Sequence, residues 1–148
     1  MKLTLEGIQN AAVWRSAGIL FPSYDVPAAQ KKAVEAPKWV HFGIGNIFRV
    51  FIGGIADGLL EQGLLDRGIT CVETFDYDVV DKIYRPYDNL GLQVILNPDG
   101  TRDVRVLGAF AEAVKAQCTD AAQWARLKEI FRAPSLQLVS FTITEKGY

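Results

Sequence analysis

The stretch Trp39-Val40-His41-Phe42-Gly43-Ile44-Gly45-Asn46, with the residues that follow it, narrows the possible folds more than any other part of the chain. Residues 39–42 form a continuous apolar run that ends at Gly43, which reads as a strand buried on both faces. Beyond Gly45, the apolar residues Phe48, Phe51, Ile52, Ile55, Ala56, Leu59 and Leu60 recur at i, i+3, i+4, i+7, i+8, i+11 and i+12, the spacing of a helix with one apolar face. Asn46 stands where an N-cap or first-turn residue belongs, and Gly63 is placed to end the helix. Gly53, Gly54 and Gly58 each cost such a helix about 1 kcal/mol relative to alanine, so close approach to a neighbouring backbone is expected. Residues 69–75, ITCVETF, then read as a second strand. Strand, helix, strand implies parallel pairing through a right-handed crossover.

The rest of the chain extends this pattern. Residues 1–38 read as an N-terminal helical preamble punctuated by Pro22, Pro27 and Pro37, with short helices through Ile8–Arg15 and Ala28–Val34. Residues 39–148 read as the α/β unit. Val79, Val80, Ile83 and Tyr84 suggest a short helix stopped by Pro86, and residues 92–107 a β-hairpin around Asn97, Pro98, Asp99 and Gly100. Trp124, Leu127, Ile130 and Phe131 mark another helix, closed by Pro134, and residues 136–144, LQLVSFTIT, one more strand. The expected fold class is α/β: a Rossmann-like, doubly wound, mainly parallel sheet with an inserted hairpin, of which this is the first half.

Composition sets outer limits. Of 148 residues, 49% are hydrophobic and 22% charged, the balance of a globular domain. A net charge of −1 without a long Lys/Arg cluster argues against a nucleic-acid partner. Cys71 and Cys118 are isolated thiols without metal-ligand spacing, so no metal site and no disulfide framework are expected. No apolar run approaches a membrane span, and Glu6, Gln9 and Arg15 interrupt any leader-like segment. A cytoplasmic protein is expected.

The two glycines admit two readings. A dinucleotide-binding turn needs a strand, one glycine for the tight bend, a second so that a pyrophosphate can approach, and a helix whose first amides face the anion. Residues 41–48, HFGIGNIF, supply these, but the third glycine of the usual fingerprint is replaced by Phe48. The alternative is a glycine-softened structural corner. Arg49 lies in the first helical turn and can meet a phosphate, although a cation there opposes the helix dipole. Asp76, with Glu73 just before it, stands where an acid would hold a ribose hydroxyl; it also suits an N-cap for a helix starting near Asp78. His41 is the only histidine, and its place inside an apolar strand makes a packed, hydrogen-bonded core residue the expected role rather than a catalytic one.

VHFGIGNIFR at residues 40–49, taken with TITEKGY at residues 142–148, resembles the long-chain mannitol dehydrogenase family, which includes mannitol 2-dehydrogenase and the fructuronate and tagaturonate reductases. The resemblance runs over nearly all of the chain, including NPDGTRDVRVLGAF at 97–110. It implies an N-terminal Rossmann-like domain binding NAD(H), and a hydride exchanged with a polyol or sugar-acid substrate. It also implies a following, mostly helical domain that carries the catalytic lysine with its asparagine and histidine helpers. No catalytic residue is then expected in these 148 residues, and Lys146 is not that lysine. The cofactor-binding candidates are Gly43, Gly45, Asn46, Ile47, Phe48, Arg49, Glu73, Asp76, Thr144 and Glu145. The family pattern has Phe and His where this chain has Ile47 and Phe48, which leaves the particular sugar open, as is the oligomeric state. Two other functions fit a two-glycine turn: a nucleotide-sensing module without catalysis, and a methyltransferase, which commonly wants a glycine at position 47. Without the catalytic groups the chain alone is expected to be inactive, and the strand at 136–144, lying at an open sheet edge, is expected to associate with another chain.

Overall fold

A computed structural model of the chain describes residues 1–143. The chain begins with α1 (Leu5–Ile8), α2 (Ala11–Ser16), the two-residue strand β1 (Ile19–Leu20) and α3 (Val26–Glu35). Next come β2 (Trp39–Phe42), a π-helical turn (Phe48–Ile52) that runs directly into α4 (Gly53–Glu61), and β3 (Ile69–Glu73). A second π-helical turn (Val80–Tyr84) and a 3₁₀ turn (Arg85–Tyr87) lead to β4 (Gly91–Leu96), β5 (Arg102–Leu107), β6 (Phe110–Lys115), α5 (Ala121–Arg132) and β7 (Leu138–Phe141).

Four strands form one parallel sheet in the order β6-β3-β2-β7. β2 is therefore central, and the chain progresses outward on one side through β3 and β6 before crossing back to place β7 on the other. The two faces are covered by different helices. Ile44, Phe48, Ala56 and Leu60 pack with Ile69, Cys71 and Phe110 on the α4 face. Val40, Val72 and Val114 pack with Leu127 and Ile130 of α5 on the other. The expected doubly wound arrangement follows from this alternation: neighbouring strand residues point to opposite faces, and both faces are buried.

The expected hairpin is present as β4 and β5, antiparallel, with the 97–101 loop closed by Gly100 N–H donating to the Asn97 carbonyl at 3.0 Å. It belongs to a second sheet, β1-β5-β4, in which β1 runs parallel to β5. The first 38 residues thus contribute a strand as well as helices. They are tied to the α/β unit by buried polar contacts. The Gln30 amide donates to the carbonyls of Asp88 and Phe110, each at 3.0 Å. The Tyr24 hydroxyl donates to Asp57 at 2.5 Å, and Asp57 also accepts from the Gly108 N–H at 2.9 Å.

Three differences from the sequence reading have physical causes. The expected single helix at 8–15 is two short ones, because the chain leaves helical geometry at Asn10, between α1 and α2. Strand β6 was not read from FAEAVK, whose alanines and glutamate have low strand preference; its place is secured by pairing with β3. Of the three helix glycines expected to meet a neighbouring backbone, Gly53 and Gly54 meet side chains instead: a Cβ on Gly53 would lie 2.4 Å from the Phe110 ring, and one on Gly54 would lie 2.5 Å from the Gln93 side-chain amide. Gly58 faces open space.

Candidate active site

The parallel sheet reverses its strand order between β2 and β7, and ligands of open α/β sheets bind in the crevice beyond the carboxyl ends of the strands at such a switch point. Gly43 follows β2 at that point. Its φ of +85° and the 2.4 Å that would separate a Cβ from the Thr142 carbonyl oxygen both require glycine. Its N–H donates to Val72 at 3.0 Å, and the Thr142 N–H donates to Phe42 at 2.8 Å, so the bend is fastened to both neighbouring strands.

Ile44 is fully buried, and its carbonyl accepts from the buried Tyr84 hydroxyl at 3.0 Å. Gly45 is exposed, with no atom within 4 Å of where its Cβ would be. Among the described residues, the N–H groups of Gly45, Asn46 and Ile47 find no acceptor. Such free donors are expected at the start of a helix. Over Gly45 the space is open. Asn46 and Ile47 are exposed, and the Asn46 side chain accepts from the Arg49 guanidinium. Beside the turn a cleft of about 260 Å³ opens between Asn46, Arg49 and Val50 on one wall and Ile83, Tyr87 and Leu92 on the other.

Phe48, at the position of the missing third glycine, is fully buried. It stacks on His41 with ring centroids 4.2 Å apart and tilts against Phe110 at 5.4 Å. The close helix-to-strand approach that a third glycine would allow occurs five residues later, at Gly53. Phe48 is therefore a core residue that seats the helix, and no part of it reaches the crevice.

The two acids differ. The register pairs Phe42 with Val72, so Gly43 and Glu73 come next to each other at the ends of β2 and β3. Glu73 is buried, and its carboxylate accepts from the N–H groups of Thr74 at 2.9 Å and Phe75 at 3.0 Å, capping its own loop. Asp76 is exposed, and its side chain makes no hydrogen bond among the described residues; its backbone carbonyl accepts from Val79 at 3.1 Å. Thr144 and Glu145 lie outside the described residues.

His41 has the core role expected of it. Fully buried, it meets Ser140 Oγ through Nδ1 and Thr142 Oγ1 through Nε2, each at 2.8 Å. The Trp39 indole donates to the same Ser140 hydroxyl at 2.7 Å. Burial holds the imidazole down to about 4, so the ring is neutral near pH 7. Sequence reasoning missed Tyr84, Ser140 and Thr142 as parts of this site. Nothing local marks them, since they reach the turn only through the fold. Among the described residues, no group of three His, Cys, Asp or Glu side chains is placed to hold a metal ion, and no helix is long and apolar enough to cross a membrane.

A parallel sheet in which the first strand is flanked by the second and fourth, with a glycine turn opening a helix at the switch point, defines a Rossmann-like, doubly wound fold. No family model matches the chain, but individual proteins do. D-mannonate oxidoreductase of Thermotoga maritima is 49% identical over all 148 residues. Polyol:NADP oxidoreductase of Gluconobacter oxydans is 28% identical over 89% of this chain. A solved structure of Pseudomonas fluorescens mannitol 2-dehydrogenase, a ternary complex with NAD and D-mannitol, superimposes over the whole chain with a TM-score of 0.76 at 25% identity. The chain is thus similar, over all or most of its length, to mannonate, polyol and mannitol dehydrogenases. It spans about a quarter of the length of these relatives, 27%, 26% and 28% respectively.

Proposed function

We propose that this chain is the NAD-binding part of a dehydrogenase that moves a hydride between a nicotinamide cofactor and a polyol or sugar acid. The observation that carries the reading is the set of amides at Gly45, Asn46 and Ile47 that find no acceptor among the described residues, with open space over Gly45 at the switch point of the sheet. Backbone donors at a helix start suit a pyrophosphate, and a cradle that a Cβ would fill is what the second glycine of such a turn provides. Gly43 sets the bend, Gly45, Asn46 and Ile47 donate, Arg49 supplies a nearby positive charge, and Phe48 seats the helix from below. Asp76 is the carboxylate free to accept from a ribose diol, while Glu73 shapes the loop that carries it. Thr144 and Glu145 complete the proposed set beyond β7. The bound nicotinamide supplies the hydride acceptor or donor; the groups that move the hydroxyl proton lie outside these 148 residues.

NAD is favoured over NADP because the free Asp76 carboxylate would repel a 2′-phosphate. The name of the Gluconobacter relative shows that the other choice exists among similar proteins. The name of the Thermotoga relative favours a sugar acid of the mannonate type as substrate. A cytoplasmic location is inferred from the two free cysteines and a redox reaction on soluble metabolites.

The test is made on the full-length gene product. NADH consumption with fructuronate, tagaturonate or fructose is expected, with NADH bound more tightly than NADPH. Binding of NADH without turnover of any such substrate would favour a nucleotide sensor. Tighter binding of NADPH would overturn the role given to Asp76. The 148 residues alone are expected to show no turnover, since absence of a positioned base should be close to total loss of rate.

A further inference from the structure

The direction of the amides at the turn depends on a residue outside the glycine motif. The Ile44 carbonyl and the Gly45 N–H belong to one peptide, and across a trans peptide they point in opposite directions; no cis bond is present among the described residues. Gly45 places little restriction on its own backbone, so the glycine itself does not set the orientation of the 44–45 peptide. If it flipped, a carbonyl oxygen would face the crevice in place of a donor. Among the described residues, the hydrogen bond made to this peptide is the one from the Tyr84 hydroxyl to the Ile44 carbonyl at 3.0 Å.

Tyr84 is built to hold that position. It ends the π-helical turn after β3, is 1% exposed, and meets the Phe110 ring edge-on at 5.7 Å. The Arg49 guanidinium lies 5.9 Å from its ring centre. Burial raises the phenol far above its ordinary value, so the hydroxyl stays protonated and remains a donor.

We propose that Tyr84 is a positioning residue for the cofactor: by holding the Ile44 carbonyl inward it aims the Gly45 N–H outward at the pyrophosphate. This rests on the dinucleotide reading above, so the test separates the two. In the full-length protein, Tyr84→Phe keeps the ring and removes the donor. Its Kd for NADH should rise roughly 3- to 10-fold, the effect of one buried hydrogen bond. The KM for NADH should rise with it, while kcat at saturating NADH stays within about twofold, because only the population of the binding-competent turn has changed. A purely structural tyrosine would lower thermal stability without moving Kd. Gly45→Val is the control for the site itself. Weak binding by both variants supports the clamp. An unchanged Kd in Tyr84→Phe beside a weakened Gly45→Val overturns the clamp and leaves the cofactor site intact. Unchanged binding in both overturns the cofactor site and the clamp with it. Should Tyr84→Phe be too unstable to measure, 3-fluorotyrosine at position 84 decides: a stronger donor should tighten NADH binding, and an unchanged or weaker affinity would overturn the proposal.

Discussion

Two neighbouring strand ends in this molecule treat their backbone donors in opposite ways. At the end of β3, the Glu73 carboxylate turns back and accepts from the next two N–H groups, so the loop satisfies itself. At the end of β2, the N–H groups of Gly45, Asn46 and Ile47 have no protein acceptor among the described residues, and the Asn46 side chain that could cap them is engaged by Arg49 instead. The two ends are adjacent in register, and both follow buried parallel strands. Under the proposed function their difference separates a structural loop from a binding one: capped donors hold a fold together, while unbonded donors at an exposed turn are available to an anion.

Substitutions sharpen this contrast, beginning where the largest effect is expected. Gly43→Ala places a Cβ against the Thr142 carbonyl oxygen in a backbone conformation that favours glycine. It should cost about 3 kcal/mol or more in denaturant unfolding. A loss under about 1 kcal/mol would mean that the bend is not held between β2 and β7.

The same strand end carries a pH dependence of its own. Burial lowers His41 from 6.5 to about 4, so the folded state prefers the neutral ring. Stability is then complete above about pH 6.5 and is lost as the pH falls toward 4, because the unfolded chain takes up the proton first. The loss over that window should approach about 3 kcal/mol, and His41→Gln should flatten it in an unfolding series from pH 7 to 4.

Gly45→Val tests the free donors directly. NADH affinity should fall at least about tenfold, with a stability change of about 1 kcal/mol or less, since the added side chain meets open space within the protein. Glu73→Ala is the counterpart at β3. It should cost about 1 kcal/mol of stability through the lost loop cap and leave NADH affinity within about twofold. A large loss of affinity there would mean that Glu73 holds the ribose. The smallest effect on the fold belongs to Asp76→Ala, whose exposed side chain makes no hydrogen bond among the described residues. Stability should change by less than about 0.5 kcal/mol, while the preference for NADH over NADPH narrows in titration calorimetry.

What was legible in the sequence was what depends on local pattern. The apolar run at 39–42, the helical spacing after Gly45 and the turn residues around Pro98 each specify an element by themselves, and all three elements are present. β6 was hidden because a strand can be secured by its neighbours despite alanines and a glutamate of low strand preference. At the site, Gly43 and Gly45 stood out by their spacing between an apolar strand and a helix, and the structure gives Gly43 the conformation that requires glycine. Glu73 and Asp76 were grouped together by closeness in sequence. Separating them took the hydrogen bonds that occupy one carboxylate and leave the other exposed. Tyr84 reaches Ile44 across 40 residues of chain, and no local spacing encodes that contact.

The most direct measurement of the contrast between the two strand ends is an amide NMR titration of the full-length, isotope-labelled protein with NADH. The N–H resonances of Gly45, Asn46 and Ile47 are expected to shift most strongly and to gain protection from solvent exchange, while those of Thr74 and Phe75, already capped by Glu73, keep their hydrogen-bonded character. Shifts concentrated at Thr74 and Phe75, with Gly45, Asn46 and Ile47 unmoved, would contradict the assignment of the β2 end as the anion-binding turn.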